Sequence, residues 1–244
     1  MTWFSDHICL LTHDGTPTTI ALANRLAGLG WQVVVLNFPT SIIAEQSALP
    51  ASINRVALTD LSEAHLQQQL TAIADNYGAI GAFIHLHTPS PSLAGSQGKS
   101  PLGTGFRGVL DAASEKSILK SVFFIAKHLK QSLNEAARHR RSWFITVTRL
   151  EGELGVGQHS HGSSFPEKSF KNQSVISGGL FGLTKTLNME WERVFCRAID
   201  LAPELAAEKA AELIIAELHD PNLLMTEVGY NSPQQRTTLV GEMR

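Results

Sequence analysis

The chain has 244 residues, 43% of them hydrophobic and 17% charged, and its 20 Lys and Arg against 22 Asp and Glu give a net charge of −2. This is the composition of a globular protein, which excludes disordered, collagen-like and coiled-coil chains. A chain of this length buries about 70% of the surface of its unfolded state, so it can fold without disulfides or a structural metal.

The distribution of charged and apolar residues restricts the partners and the compartment. A nearly neutral chain lacks the clustered basic surface that nucleic-acid binding usually needs, and only residues 138–141 form a basic run. The longest apolar run, residues 122–126, is too short to cross a bilayer, and the N-terminus lacks the basic start of a signal peptide. Cys9 and Cys196 lie inside apolar runs, which is typical of buried, reduced thiols. We expect a cytoplasmic protein with no nucleic-acid or membrane partner.

Short β-branched runs alternate with helical patterns along the chain. The pattern predicts, in chain order, strand 7–12, helix 16–30, strand 32–37, strand 53–58, helix 62–77, strand 79–87, a loop at 89–107, helix 111–138, strand 142–148, a loop at 150–173, helix 174–191, strand 194–201, helix 204–219, strand 223–230 and strand 236–240. Asp60, three residues before Glu63, predicts a capping box at the start of the second helix.

The alternation of strands and helices predicts the fold. Parallel strands need crossovers of about a dozen residues or more, and the predicted helices supply crossovers that cover the sheet. Right-handed crossovers give one domain, residues 1–244, with a doubly wound, mostly parallel Rossmann-like α/β sheet and helices on both faces. The two predicted loops follow the fourth and fifth strands, so both lie at the carboxyl edge of the sheet, where ligands bind in open α/β folds.

The turn after the first strand is where a Rossmann fold cradles a dinucleotide, and this requires glycines. Residues 11–19 contain one glycine, Gly15, and Pro17 has no N–H to offer a phosphate. Thr16 and Pro17 instead have the pattern of a helix N-cap followed by proline at the first helical position. The second strand ends in the Asn-Phe-Pro sequence of residues 37–39, with no acid for a ribose and no arginine for a 2′-phosphate. The sequence therefore predicts a degenerate cofactor site and no cofactor bound by this chain.

Other polar residues near strand ends are candidates for binding. His85 and His87 point to one face of a strand, which suits either a zinc ion or hydrogen-bonded packing. We favour packing and predict no metal site, because no pattern of further ligands accompanies the two histidines. Arg149 follows the fifth strand, where its side chain either binds a phosphate or ends in solvent.

Several segments resemble short-chain dehydrogenases/reductases: Thr12 with Ala23, Leu26, Ala27, Gly30 and residues 33–35, Asp60 after the third strand, and helix residues 182–190. The resemblance places the three glycines of the family's cofactor motif on His13, Pro17 and Thr19, so none of them is present. In the resembled family an acidic residue at the position of Asp60 contacts adenine. For Asp60 we favour a role in helix capping instead, because that role needs no ligand.

The family's catalytic residues are also replaced. The resemblance places its general-acid tyrosine on Gln173, its lysine on Ser177 and its serine near Thr148. Glutamine has no titrating proton to give to a carbonyl oxygen, and serine has no charge that could lower the pKa of a neighbour. The resemblance therefore implies that this chain has no catalytic residues and is not itself an enzyme.

One branch of that superfamily combines these matches and losses. Residues 177–191 and 195–201 resemble the structural subdomain of ketoreductases in type I polyketide synthases, and above all that of omega-3 polyunsaturated fatty acid synthases. Residues 82–86, 126–130 and 236–240 extend the likeness. In that family a truncated Rossmann half without a cofactor precedes a catalytic half that has its own glycine motif, lysine, serine and tyrosine.

This resemblance implies that the chain is the non-catalytic structural half of a split β-ketoacyl ketoreductase, a segment of a larger synthase. Its partners would be a catalytic half that follows it and binds NADPH, and the other domains of the synthase. An apolar surface near the last two strands would meet that half, so we expect some of these residues to be partly exposed: Leu224, Val228, Leu239 and Val240. Two alternatives stay open: an active NADPH-dependent short-chain reductase with diverged motifs, and a pocket that binds another small molecule as a sensor.

Overall fold

The computed structural model describes residues 7–43, 47–88, 105–155 and 167–239, except for the side chains of residues 105–115 and 167–175. The elements in these ranges are, in chain order, β1 (Ile8–Thr12), α1 (Pro17–Gly28), β2 (Gln32–Asn37), β3 (Asn54–Ala57), α2 (Glu63–Tyr77), β4 (Ile80–His87), α3 (Gly105–His139), β5 (Ser142–Thr148), α4 (Glu167–Glu190), β6 (Val194–Leu201), α5 (Ala207–His219), β7 (Glu227–Ser232) and β8 (Gln235–Thr238). None of the helices in these ranges is both long enough and apolar enough to cross a membrane.

The described strands form one sheet in the order β3-β2-β1-β4-β5-β6-β7-β8. Neighbouring strands are parallel except for β7 and β8, which form an antiparallel pair at one edge. β1 lies between β2 and β4, so the order of strands reverses at this point and leaves a crevice beyond their carboxyl ends. The doubly wound, mostly parallel Rossmann-like fold predicted from the sequence is confirmed.

The sheet separates two hydrophobic cores because successive strand residues point to opposite faces. On β1, Cys9 and Leu11 face one core, whereas Ile8 and Leu10 face the other. Helices α1 and α5 cover the first face and contact each other, whereas α2, α3 and α4 cover the second. The strands β1, β4, β5 and β6 are buried along their whole length, which explains their continuous apolar runs.

The two cysteines lie one in each core. Cys9 and Cys196 are fully buried free thiols, as the sequence predicts. Burial raises the pKa of the Cys9 thiol to about 12 and raises that of the Cys196 thiol further. Both therefore stay protonated at neutral pH and act as small apolar side chains rather than as nucleophiles.

Helices replace the ends of both predicted loops. α3 begins at Gly105 rather than at residue 111, and α4 begins at Glu167 rather than at residue 174. The predicted loop at 150–173 was therefore too long, since residues 167–173 include two Lys, a Glu and a Gln, which favour helix. Residues 150–155 of the second predicted loop are in neither a helix nor a strand, as predicted, and residues 89–104 and 156–166 lie outside the described residues.

A buried ionic cluster, which the sequence analysis did not identify, attaches the last two strands to the sheet. Arg197 on β6 has no exposed surface, and its guanidinium contacts the carboxylates of Glu217 and Asp220. Glu217 also accepts hydrogen bonds from the hydroxyl of Tyr230 on β7 and from Arg236 on β8. Removing one partner of such a cluster would leave a buried charge uncompensated, which typically costs about 3–5 kcal/mol.

The apolar residues near these strands only partly fit the predicted partner surface. Leu224 is 78% exposed because it lies in the turn before β7, which begins at Glu227 rather than at residue 223. Leu239 is partly buried, whereas Val228 is completely buried between β6 and β8. The expectation that some of these residues are partly exposed therefore holds for Leu224 and Leu239, and not for Val228. The last strand ends at Thr238, and Val240 lies outside the described residues.

We expect Gly229→Ala to lower the free energy of unfolding by about 1–3 kcal/mol because the added methyl group overpacks a backbone contact. A Cβ atom at Gly229 would lie 2.3 Å from the carbonyl oxygen of Gly152. Gly28→Ala is the matched control, since no atom lies within 4 Å of its added Cβ, and it should stabilise the end of α1 by up to about 1 kcal/mol. Urea unfolding of the two variants checks both signs, and equal effects would contradict the contact.

Candidate functional site

The candidate site is the crevice at the carboxyl edge of the sheet, between β1 and β4. The β1–α1 turn, residues 13–16, and the ends of β4 and β5 surround it. In dinucleotide-binding Rossmann folds the corresponding turn holds a pyrophosphate against the positive end of the following helix. Here the side chains of the chain itself occupy this position.

Asp14 places a carboxylate at the N-terminus of α1. Its oxygens accept hydrogen bonds from the backbone N–H and hydroxyl of Thr16, at 3.0 and 2.9 Å. They also accept from the hydroxyl of Thr19 at 2.8 Å and from the hydroxyl of Thr88, beyond the end of β4, at 2.7 Å. Asp14 is 9% exposed, so an internal anion lies where the helix end would otherwise attract an external one.

The other donors of the turn are also used within the turn. The hydroxyl of Thr16 accepts from the N–H of Thr18 at 3.2 Å, and the N–H of Thr19 reaches the carbonyl of Thr16. The N–H of Gly15 donates to Nδ1 of His13 at 2.8 Å. Thr16 is the N-cap and the following proline has the first helical position, as predicted. These amides all have acceptors within the chain, so none of them is oriented toward an external phosphate.

The position that would contact a ribose, at the end of β2, is filled by an aromatic ring. Phe38 is 2% exposed, and its ring meets the ring of His85 edge to face, with centroids 6.2 Å apart. On the outer side of the turn, Nε2 of His13 contacts the carbonyl of Ser47 at 3.0 Å, and the N–H of Ser47 donates to the carbonyl of Gly15. The segment after β2 is thus bound to the turn.

The two histidines of β4 pack against the site as neutral side chains. His85 and His87 point to the same face, with ring centroids 6.1 Å apart, and Nδ1 of His85 lies 2.9 Å from the hydroxyl of Thr12. Burial lowers the pKa of His85 well below its usual range and lowers that of His87 to about 4. Among the residues that the structure describes, no group of three or more potential metal ligands is present. The ring of His85 also meets the ring of Phe38 edge to face, and its Nε2 atom is buried without a hydrogen-bond partner among the described residues.

The carboxyl end of β5 is held by Asp200 of β6. Thr148, at the serine position of the resembled family, donates its hydroxyl to this carboxylate at 3.0 Å. The carboxylate also accepts backbone N–H groups of Leu150, Gly152 and Leu154 at 2.9–3.1 Å. Burial raises the pKa of Asp200, whereas these hydrogen bonds oppose the shift. Asp200, to which the Thr148 hydroxyl also donates, therefore orders the loop after β5.

Arg149 is partly buried and its guanidinium contacts other parts of the chain, so it does not simply end in solvent. Its guanidinium donates to the hydroxyl of Thr18 in the first turn of α1 at 2.9 Å. It also donates to the carbonyls of Pro203 and Leu205 in the β6–α5 loop, at 3.1 and 3.0 Å. Arg149 thus connects three segments of the carboxyl edge.

Ser177, at the lysine position of the resembled family, lies on the buried face of α4. It has no exposed surface, and its hydroxyl has no hydrogen-bond partner among the described residues. Gln173 is one helical turn earlier on α4, and its side chain lies outside the described residues. The two positions share a face of the helix because they are four residues apart.

Asp60 has a local role, but not the one predicted. The N-cap of α2 is Ser62, whose hydroxyl accepts from the N–H of His65, and Asp60 accepts from the N–H of Ser62 at 2.7 Å. Glu63, the expected second member of the capping box, instead pairs with Lys127 and His128 on α3. The hydrogen bond from Ser62 lowers the pKa of the exposed Asp60 carboxyl.

Sequence comparison relates the chain to one curated protein, a component of the polyunsaturated fatty acid synthase from Thraustochytrium sp. The two are 28% identical over 232 residues, and the match covers 94% of the chain. The same match covers 7% of the synthase component, so the chain spans a small part of its relative. No family model matches the chain.

Structure comparison shows the fold of short-chain dehydrogenases/reductases. A metagenomic short-chain oxidoreductase in complex with NADP matches with a TM-score of 0.60 and 13% identity, over 93% of this chain and 97% of its own. A short-chain dehydrogenase/reductase mutant of Serratia marcescens matches with a TM-score of 0.59 and 16% identity, over 90% of this chain and 92% of its own. The chain thus has a Rossmann-like sheet of the same kind as these oxidoreductases.

These neighbours overturn one prediction. The sequence analysis predicted that the segment is not itself an enzyme. The structure comparison contradicts this prediction, because the solved structures that share the fold are dehydrogenases and reductases. The prediction rested on missing motif residues alone.

We expect Asp14→Ala to lower the free energy of unfolding by about 3 kcal/mol, because it leaves several buried or partly buried donors without an acceptor. Asp60→Ala is the matched control: it removes another carboxylate that accepts a backbone N–H before a helix, but an exposed one, so a much smaller loss is expected. Denaturant unfolding at pH 7 compares the two variants. A loss for Asp14→Ala as small as that of Asp60→Ala would contradict the role assigned to Asp14.

The free energy of unfolding should fall as the pH is lowered from 7 to 4, because burial holds the pKa of His87 at about 4. The unfolded chain protonates this residue below about pH 6.5, whereas the folded chain does so only near pH 4, so the unfolded state binds more protons in between. His87 alone should account for about 3 kcal/mol at pH 4. His87→Gln should flatten the pH dependence measured by denaturant unfolding, and an unchanged slope between pH 7 and pH 4 in this variant would contradict the role of His87.

Proposed function

We propose that this chain is a ketoreductase-type segment of a polyunsaturated fatty acid synthase or polyketide synthase, and that it takes part in NADPH-dependent reduction of β-ketoacyl groups. The observation that carries the proposal is the match to a component of a polyunsaturated fatty acid synthase over 94% of the chain. The fold of short-chain oxidoreductases supports it, since that fold is suited to hydride transfer from a nicotinamide.

The NADPH of this reaction is proposed to bind to a second Rossmann segment, the catalytic half of the ketoreductase, rather than to the β1–α1 turn of this chain. Asp14 supports this assignment, because its carboxylate already occupies the N-terminus of α1 and would repel a pyrophosphate. Phe38 fills the position at the end of β2 where a ribose or 2′-phosphate would need a polar partner.

The role proposed for this chain in the pair is to stabilise the catalytic half. β8 is the last strand of the described sheet, so its outer side offers unpaired backbone groups. Leu223 and Leu224, in the turn before β7, are 49% and 78% exposed and provide an apolar patch beside that edge. The buried ionic cluster of Arg197 keeps the β7–β8 hairpin in place, which would present the edge in one orientation.

A second candidate function is a reductase that binds NADPH by itself. Ser177 favours it, because a completely buried hydroxyl without a partner among the described residues is uncommon unless a ligand or another side chain completes it. The NADP complex of a solved neighbour supports the same alternative. In that case the turn at Asp14 would have to rearrange on binding.

Calorimetric titration and a reduction assay separate the two candidates. In the first experiment, NADPH is titrated into the 244-residue chain. In the second, the oxidation of NADPH is followed with a β-ketoacyl N-acetylcysteamine thioester as the substrate. The second experiment is carried out with and without the proposed catalytic half, the segment that carries a glycine-rich cofactor turn. We expect no binding heat for the chain alone, and turnover that rises at least severalfold when this chain is added to the other segment. Binding and turnover by the chain alone would establish the second candidate.

Matched surface variants test the assembly. Leu224→Glu should weaken association with the other segment, whereas Met189→Glu, at a similarly exposed residue on α4, should not. Both should leave the melting temperature of this chain unchanged. Absence of turnover in every combination would contradict a ketoreductase function altogether.

A further inference from the structure

Residues 150–155, which follow β5, form a strap at the carboxyl ends of β6 and β7. The strap belongs to neither a helix nor a strand, and two attachments hold it. The first is the carboxylate of Asp200 on β6, which accepts the N–H groups of Leu150, Gly152 and Leu154. The second is the β7–β8 hairpin at the edge of the described sheet. The strap therefore connects the carboxyl edge to the last two strands.

The strap and the hairpin touch backbone to backbone. A Cβ atom added at Gly152 would lie 2.1 Å from the carbonyl oxygen of Tyr230, and one added at Gly229 would lie 2.3 Å from the carbonyl oxygen of Gly152. Neither position has room for a side chain, so a shift of the hairpin toward the strap displaces the strap as well. Asn231 adds a polar contact, because its side-chain N–H donates to the carboxylate of Glu153 at 3.0 Å.

Leu154 is the strained residue of the strap. Its φ is 60°, and no other non-glycine residue in the described part of the chain has a positive φ. A leucine disfavours this region because its Cβ atom approaches the following carbonyl oxygen. The side chain is nevertheless only 7% exposed, because it packs in a cluster with three apolar residues: Phe181 of α4, Ala198 of β6 and Leu239, which follows β8. Burial of the side chain thus opposes the strain of the backbone.

We propose that the strap has two positions and that the β7–β8 hairpin determines which of them it takes. In the closed position, which the structure shows, Leu154 is buried and the N–H groups of the strap reach Asp200. In the open position, Leu154 leaves the apolar cluster, its backbone returns to a negative φ, and water replaces Asp200 as the acceptor. A displaced hairpin favours the open position, because it removes Leu239 from the cluster and the backbone of Gly229 from the strap.

Opening of the strap changes the carboxyl edge through Asp200. Thr148 donates its hydroxyl to the same carboxylate at 3.0 Å, and Arg149, between Thr148 and the strap, donates to Thr18 of α1. Coupling of this kind requires an element with two arrangements that both ends bias, and the strap is that element. The inference rests on the proposed function only for the partner that would move the hairpin, the catalytic half. The coupling itself is a property of this chain.

Amide hydrogen exchange of the 244-residue chain measures the opening of the strap. Arg236→Gln is the test variant, because Arg236 on β8 pairs with Glu217 and Asp220 and has no hydrogen bond or ion pair with the described strap. The strap amides that donate to Asp200 should exchange at least about tenfold faster in this variant. The amides of β1, in the centre of the sheet, should change much less. Equal acceleration in both places would overturn the proposal, because it would report global destabilisation.

Arg25→Gln is the matched control for this variant. Arg25 is similarly exposed, with 37% against 34% of the side chain for Arg236, and it also pairs with two carboxylates of α5, those of Glu208 and Glu212. It lies on α1, so its removal should leave the exchange of the strap unchanged. Equal exchange of the strap in the two variants would overturn the link between the strap and the hairpin.

Leu154→Ala tests the coupling from the other end, and it keeps the test valid if Arg236→Gln does not fold. Because coupling between two sites is reciprocal, the amides that pair β7 with β8 should exchange several times faster in this variant. Met189→Ala, at an exposed apolar residue of α4 outside the cluster, should not change them. Faster exchange of the strap without any change in the hairpin would overturn the proposal. Neither measurement needs NADPH or a second segment, so its outcome is independent of the reduction assay.

Discussion

The N-terminus of α1 is the constraint on which the carboxyl edge of the molecule depends. A helix that begins inside a protein presents N–H groups that need acceptors, and its dipole favours a negative charge there. Dinucleotide-binding folds leave this position to a phosphate, whereas this chain fills it with the carboxylate of Asp14. Thr88, 74 residues later, donates to the same carboxylate, so the end of β4 is fixed to the start of α1 without any ligand.

The same principle extends along the edge to β5 and β6. Asp200 collects backbone N–H groups of the loop after β5, and Arg149 connects that loop to α1 and to the β6–α5 loop. His85 and His87 sit behind the turn as neutral rings, because burial disfavours their protonated forms. The polar groups of this edge are therefore mostly paired within the chain, and the described part of the crevice is organised by internal contacts.

Features that depend on residues close together in the chain could be predicted from the sequence, whereas contacts between residues far apart in the chain could not. The strands, the doubly wound order and the Thr16–Pro17 helix start depend on local patterns and composition, and the sequence analysis found them. The bond from Thr88 to Asp14, the connections made by Arg149 and the Arg197 cluster join residues far apart in the chain, so no local pattern contains them. The bonds from Thr16 and Thr19 to Asp14 are local, and the sequence analysis missed them. The prediction of a capping box at Asp60 was wrong for a different reason. Ser62 is the N-cap of α2, and Glu63 forms an ion pair with Lys127 of another helix.

A ligand at the carboxyl edge would have to replace these internal hydrogen bonds with its own. Each net hydrogen bond contributes about 0.5–1.5 kcal/mol, and those to charged groups contribute about 1.5–3 kcal/mol. A pyrophosphate displacing Asp14 would break contacts with Thr16, Thr19 and Thr88 at once, which would lower its affinity by several orders of magnitude. The charge that attracts an anion to the N-terminus of α1 is therefore already offset by a carboxylate of the chain itself.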